Sequence, residues 1–148
     1  MKNKSVYYWD TSALASMLFG ESEGKKLILW AKENTALPGY SSFFTWIELE
    51  SALQRRVSQG EIALENLTTM QVAIESLSRN LAILWPDITV TGEAKNQIAK
   101  MGLKPGDALQ LASALLAKRE VGNVIFVCLD KKLSQAAIAN GLECPEYS

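Results

Sequence analysis

The chain has 148 residues, 48% hydrophobic and 21% charged, with a formal net charge of −1. That length suits one domain, residues 1–148, with a sizeable core, and the balance excludes a disordered chain or one drawn to nucleic acid by overall charge. It contains no histidine and two cysteines, Cys128 and Cys144, which excludes His-based triads, HExxH zinc sites and histidine acid/base work. Any chemistry falls to carboxylates, hydroxyls, Lys and Arg. The cysteines form no CxxC pair and suit reduced thiols in the cytoplasm. No apolar run reaches the roughly 20 residues that span a bilayer, so no membrane association is expected. The charged start, Met-Lys-Asn-Lys, has no apolar stretch behind it, so no signal peptide is expected either.

In chain order, Val6–Trp9 reads as a buried strand of Val and aromatic residues. It runs directly into Asp10-Thr11-Ser12, and a helix follows from about Ala13 to Phe19, closed by Gly20. Residues 21–32 continue as a second helix with Leu27, Ile28 and Ala31 on one side. Residues 37–40 form a weak strand whose Pro38 and Gly39 suggest an edge or an irregular piece. Ser41 and Ser42 suit a cap, and residues 44–58 are a helix with Trp46, Leu49, Leu53 and Val57 at helical spacing. Gly60 ends it, and residues 61–77 are predicted as the second arm of a helical hairpin. Residues 81–85 read as a strand closed by Pro86, and Thr89 is predicted to cap a helix to about Lys100, stopped by Gly102. Pro105 suits the first turn of the next helix, apolar over most of its surface. Residues 124–128 form a strand, Asp130 opens a helix over 131–140, Gly141 closes it, and residues 142–145 are a candidate last strand. Strands alternating with helices predict an α/β fold: a central parallel sheet of four to five strands with helices on both faces.

The acids carry the chemistry. Asp10 and Asp130 each follow a predicted strand at its carboxyl end, the edge where open parallel sheets bind ligands. Asp107 begins the apolar helix, which should carry its N-terminus inward. Glu48 lies early in its helix between Ile47 and Leu49, whereas Glu21, Glu23, Glu33, Glu61, Glu65 and Glu93 sit in polar surroundings. Taken singly, the aspartates are ordinary helix caps or first-turn acids, and Glu48 a surface residue. Taken together, four converging carboxylates repel one another, and a hard divalent cation such as Mg²⁺ or Mn²⁺ resolves the repulsion. Zn²⁺ is disfavoured because no nitrogen or sulfur ligand is placed there.

Four segments carry a resemblance: DTSAL at 10–14, ELESAL at 48–53, GDALQLASAL at 106–115 and DKKLSQAAIANGL at 130–142. In order and spacing they resemble PIN-domain ribonucleases, and within that group the toxin subunits of VapC-type toxin–antitoxin pairs. The resemblance implies a three-layer α/β/α domain that cleaves RNA with Mg²⁺ or Mn²⁺. Its acid quartet falls on Asp10, Glu48, Asp107 and Asp130. Asp10 and Asp107 would ligate the metal directly, and Glu48 and Asp130 through water or at a second position. Thr11 and Ser12 would support them by hydrogen bonds or simply cap the helix. Cys128 stands where the family often has Thr or Ser. Lys104 and Lys131, beside proposed site acids, are the preferred RNA contacts over Arg55, Arg56 and Lys132.

The implied partners are an RNA substrate and an antitoxin whose tail covers the site. A second copy of the chain is a further expected partner, docking through the early helices, because Trp30, Phe43, Phe44 and Trp46 form an apolar excess. The plain alternative is that these four fill the core. Competing functions are a housekeeping PIN nuclease without antitoxin and a PIN-like module that binds without cleaving. A phosphoacceptor receiver domain is disfavoured, because Asp10 is alone at its strand end.

Overall fold

Val6–Trp9 is apolar at every position, so the strand is covered on both faces. Successive side chains of a strand point to opposite sides. Accordingly Val6 and Tyr8 enter one core with Phe126, Leu111 and Leu133, while Tyr7 and Trp9 enter another with Leu14, Leu49 and Leu53. The computed structural model describes residues 5–34 and 39–147. Its sheet holds four parallel strands, β1 (Val6–Trp9), β2 (Gly39–Ser42), β3 (Ala82–Leu84) and β4 (Val124–Val127), in the order β3-β2-β1-β4. Helices α1 (Thr11–Leu18), α2 (Ser22–Asn34), α3 (Phe43–Ser58) and α4 (Leu67–Arg79) supply the core on the Tyr7 face. Helices α5 (Ile88–Met101), α6 (Pro105–Val121) and α7 (Lys131–Ala139) supply the core on the Tyr8 face. The α/β class and its helix–sheet–helix layering are those expected.

Strand order positions the site. The chain steps from β1 to β2 to β3 in one direction, then returns to place β4 on the other side of β1. That reversal is a topological switch point, where the connections leaving the two strands diverge and open a crevice. Trp9 pairs with Val127, so Asp10 and the segment 128–130 emerge side by side, and the Asp10 amide donates to Val127 O at 3.0 Å.

Several elements depart from expectation. β2 is an interior strand, not an edge; residues 37 and 38 of the expected strand lie outside the described residues. Gly39 allows this close packing, because a Cβ there would stand 2.7 Å from Leu81 Cδ2 and 3.0 Å from Trp9 Nε1. The helix expected over 61–77 begins only at Leu67, after a 3-10 turn at Leu64–Asn66. The amides of Glu61 and Ile62 both donate to Arg56 O, at 2.9 and 3.2 Å, and so close α3 instead of starting a new helix. Asp87, not Thr89, caps α5: its carboxylate accepts from the Val90 amide at 2.9 Å, and Asp is the stronger cap. Asp10 caps α1, which therefore starts at Thr11 rather than near Ala13. The candidate last strand is reduced to one bridge, Ile125 to Glu143, and Pro145 offers no N–H to extend it.

Gly20, Gly60, Gly102 and Gly141 all follow helices with positive φ, as expected of helix stops. The aromatic residues divide. Trp30 packs edge-on against Tyr7, Trp9 and Tyr147 and Trp46 joins the same core. Phe43 stacks on Trp85 with centroids 6.5 Å apart, and Trp85 remains 70% exposed. No helix among the described residues is long and apolar enough to cross a membrane.

Candidate active site

Asp10 lies at the centre of the crevice and is only 4% exposed. Its Oδ2 accepts from the Ser12 amide at 3.0 Å and from the Ser12 hydroxyl at 2.6 Å. Ser12 Oγ in turn accepts from the Leu129 amide at 3.0 Å, tying the end of β1 to the segment after β4. Capping and site-building are thus one arrangement: the geometry that starts α1 also orients Asp10. Burial pushes the Asp10 carboxyl up to about 6; Ser12 opposes this, and the charges of Glu48 and Asp107 add to it.

Glu48, one turn into α3, is half-buried. Its Oε1 accepts from the Thr11 hydroxyl at 2.8 Å and from Gln110 Nε2 at 2.9 Å. Its Oε2 faces the start of α6, where a Cβ on Gly106 would stand 3.3 Å away. A glycine there lets α3 and α6 approach without a side chain intruding on the carboxylate. Asp107, in the first turn of α6 behind Pro105, is half-buried too. Burial raises its pKa, with the charges of Asp130 and Glu48 adding to the rise and Lys104 and Lys132 opposing it. Asp130 is exposed and caps α7, accepting from the Leu133 amide at 2.9 Å.

The four expected acids therefore act on one another: Asp10 feels Glu48 and Asp107, and Asp107 feels Asp130 and Glu48. Of the expected lysines, Lys104 bears on Asp107, and so does Lys132, whose Nζ donates to Gly102 O at 3.1 Å. Lys131 is exposed. Cys128 keeps weak contacts in place of a hydroxyl: its Sγ lies 3.6 Å from Asp10 Oδ2 and 3.5 Å from Asp130 O. Burial pushes the thiol well up, so it stays protonated.

The donor chemistry suits a hard cation. The acids offer oxygen only, and burial raises the pKa of one of them, with its neighbours' charge adding to the rise. Among the described residues, no group of three Asp, Glu or Cys side chains stands assembled to hold a metal ion. Beside the acids runs a groove of about 690 Å³, lined in part by Thr11, Ser12, Glu48, Asp130, Arg55 and Arg56. Arg56 lies over the Phe19 ring and pairs with Glu21 and Glu61, whereas Arg55 is exposed.

Three residues of the site were not singled out from the sequence: Tyr8, Thr45 and Gln110. The Tyr8 hydroxyl donates to Gln110 Oε1 at 2.7 Å. Gln110 Nε2 lies 2.9 Å from Thr45 Oγ1 as well as contacting Glu48. Gln110 did leave a signal: a polar residue inside an apolar helix, one turn after Asp107 and on its face. Thr45 and Tyr8 left none.

The PIN domain family model matches residues 7–139. No curated protein matches the chain. Among solved structures, VapBC-1 from nontypeable Haemophilus influenzae is similar at 19% identity and a TM-score of 0.63, over 96% of this chain and 98% of that one. FitAB bound to an IR36 DNA fragment gives 16% identity and a TM-score of 0.70, over 93% and 92%. A toxin–antitoxin complex from Klebsiella pneumoniae gives 17% and 0.63, over 85% and 88%. At these identities the structures establish likeness of fold, and the family match spans nearly the whole chain: it belongs to the PIN domain family, a family of nucleases.

Proposed function

We propose that this protein is a metal-dependent endoribonuclease that hydrolyses RNA phosphodiester bonds, the toxin of a toxin–antitoxin pair acting in the cytoplasm as one domain. The observation that carries the reading is the buried Asp10 carboxyl, raised to about 6 beside Glu48 and Asp107 at the switch point of the sheet. A site that concentrates negative charge cannot approach a phosphodiester without a cation. Asp10 and Asp107 would hold Mg²⁺ or Mn²⁺ directly, with Glu48 and Asp130 ligating through water or at a second position. When bound, the cation supplies an activated water and neutralises charge on the phosphate under in-line attack. Ser12 keeps Asp10 oriented, and Thr11 keeps Glu48 in place. Lys104, Lys131 and Arg55 are the groups we assign to the RNA backbone, each a phosphate-neutralising charge near the acids or along the groove.

The test is cleavage of total RNA by the purified chain, with cut sites mapped, in Mg²⁺, in Mn²⁺ and in EDTA. Cleavage at defined sites is expected with either metal and not in EDTA. In Asp10→Asn and Asp107→Asn it should fall by more than ~10²-fold with the fold intact. Metal-independent cleavage, or full activity in either variant, would overturn the reading or remove that residue from the site.

Two partners belong to the same proposal. The Klebsiella pneumoniae structure is a toxin–antitoxin complex, and we infer an antitoxin that covers the groove beside the acids. Co-purification with the product of an adjacent small gene tests it, and absence of any such complex counts against it. We also infer self-association, now through Phe43, Trp85 and Ile88 rather than the core-filling Trp30 and Trp46. Ile88 is 89% exposed and lies near the stacked Phe43–Trp85 pair in sequence. A monomer by light scattering at high concentration would sink it.

A further inference from the structure

One buried amide links the elements that carry Asp10, Glu48 and Asp107. Gln110 is 1% exposed and lies on α6, one turn beyond Asp107. Its Oε1 accepts from the Tyr8 hydroxyl on β1 at 2.7 Å. Its Nε2 stands 2.9 Å from Glu48 Oε1 and 2.9 Å from Thr45 Oγ1, both on α3, and 3.0 Å from Thr11 Oγ1 on α1. The amide orientation follows from Glu48, because a carboxylate accepts and cannot donate. The nitrogen has two hydrogens for three oxygens, so it must share them, and Thr11 meets its part by donating its own hydroxyl to Glu48.

Packing alone does not call for this residue. The neighbours of Gln110 along the buried side of α6 are Ala, Leu and Ser, and burying an amide is unfavourable unless both its ends are bonded. Here both ends are bonded, one to the core strand and the other to the groups around Glu48. Groups that orient a ligating carboxylate act on metal affinity and turnover through that carboxylate.

We propose that Gln110 is a positioning residue: it holds the Glu48 carboxylate in place relative to Asp10 and Asp107, with Tyr8 anchoring its far end. This rests on the metal-dependent nuclease reading above. Gln110→Met removes the amide at similar volume. Gln110→Glu keeps the shape and the acceptor for Tyr8 but turns an acceptor toward Glu48.

For the full chain and both variants, the measurements are the melt in EDTA, the Mn²⁺ dissociation constant by isothermal titration without RNA, and kcat and KM at one mapped RNA site. The expected result is a loss of about tenfold or more in both Mn²⁺ affinity and kcat in each folded variant, with KM for RNA within about twofold of wild type. Should Gln110→Glu not fold, Gln110→Met, neutral and close in volume, carries the same comparison. A folded variant that melts lower yet keeps wild-type Mn²⁺ affinity and kcat would show a packing role only and overturn the proposal. A wild-type chain that neither binds Mn²⁺ nor cleaves RNA would overturn the nuclease reading itself, a separate result.

Discussion

Asp10 carries two opposite demands in one carboxyl group. Its carboxylate caps α1, which favours the ionised form, yet burial and the charges of Glu48 and Asp107 raise its pKa to about 6. A carboxyl whose folded pKa lies above its unfolded value favours the folded state at low pH. That contribution is complete below the unfolded value near 3.8 and is lost as pH climbs through about 6. The shift corresponds to about 3 kcal/mol. In EDTA, the stability of wild type relative to Asp10→Asn should therefore fall by up to that amount between pH 4 and pH 7. Paired thermal melts across that range check it, and parallel curves would mean that Asp10 is an ordinary solvated cap.

At the scale of elements, α1 and α2 meet through a glycine. A Cβ on Gly24 would lie 2.0 Å from Ser16 O and 2.7 Å from Met17 N, which are backbone atoms that cannot rotate aside. Gly24→Ala gains about 1 kcal/mol of helix propensity, but separating the helices costs about 3 kcal/mol as overpacking does. A net loss of about 2 kcal/mol should lower the melting temperature by roughly 4–8 °C. Because α1 begins with Thr11 and is capped by Asp10, cleavage should fall alongside stability. A variant that melts with wild type would show that the two helices pack less tightly than this geometry requires.

For the whole molecule, the proposed metal site predicts a response to cations. Folding gathers charges that the unfolded chain keeps apart, and binding to the native state alone stabilises it by mass action. At a hundredfold excess over its dissociation constant, Mn²⁺ should stabilise wild type by about 2.7 kcal/mol, and Asp107→Asn by clearly less. Without metal the order should reverse: burial and its acidic neighbours raise the pKa of Asp107, so Asp107→Asn in EDTA at neutral pH should melt at or above wild type, less up to ~1 kcal/mol for the lost first-turn charge. Thermal melts of both proteins in EDTA and in millimolar Mn²⁺ test this. A wild type that melts higher without metal, with no shift on adding it, would reduce the acids to helix caps.

The sequence by itself determined the local pieces, because those depend on short-range physics. Apolar Val6–Trp9 had to be a buried strand, the glycines after α1, α3, α5 and α7 had to end them, and acids directly after strands had to lie at one sheet edge. The four candidate acids stood out for the same reason, helped by the resemblance of the segments around them. The tertiary structure alone decided what depends on neighbours distant in the chain. Strand order put β4 against the edge of β1 opposite β2, and that made a crevice of two separate helix starts. Interior placement of β2 contradicted its Gly and Pro signals, because Gly39 serves close packing against Trp9 and Leu81. Glu61 and Ile62 closed α3 instead of opening α4, a competition between two helix ends that periodicity does not register. Gln110 reads locally as one polar residue in an apolar helix; only the packing of β1, α1, α3 and α6 around it supplies the Tyr8 hydroxyl and the Glu48 carboxylate that give its amide a purpose.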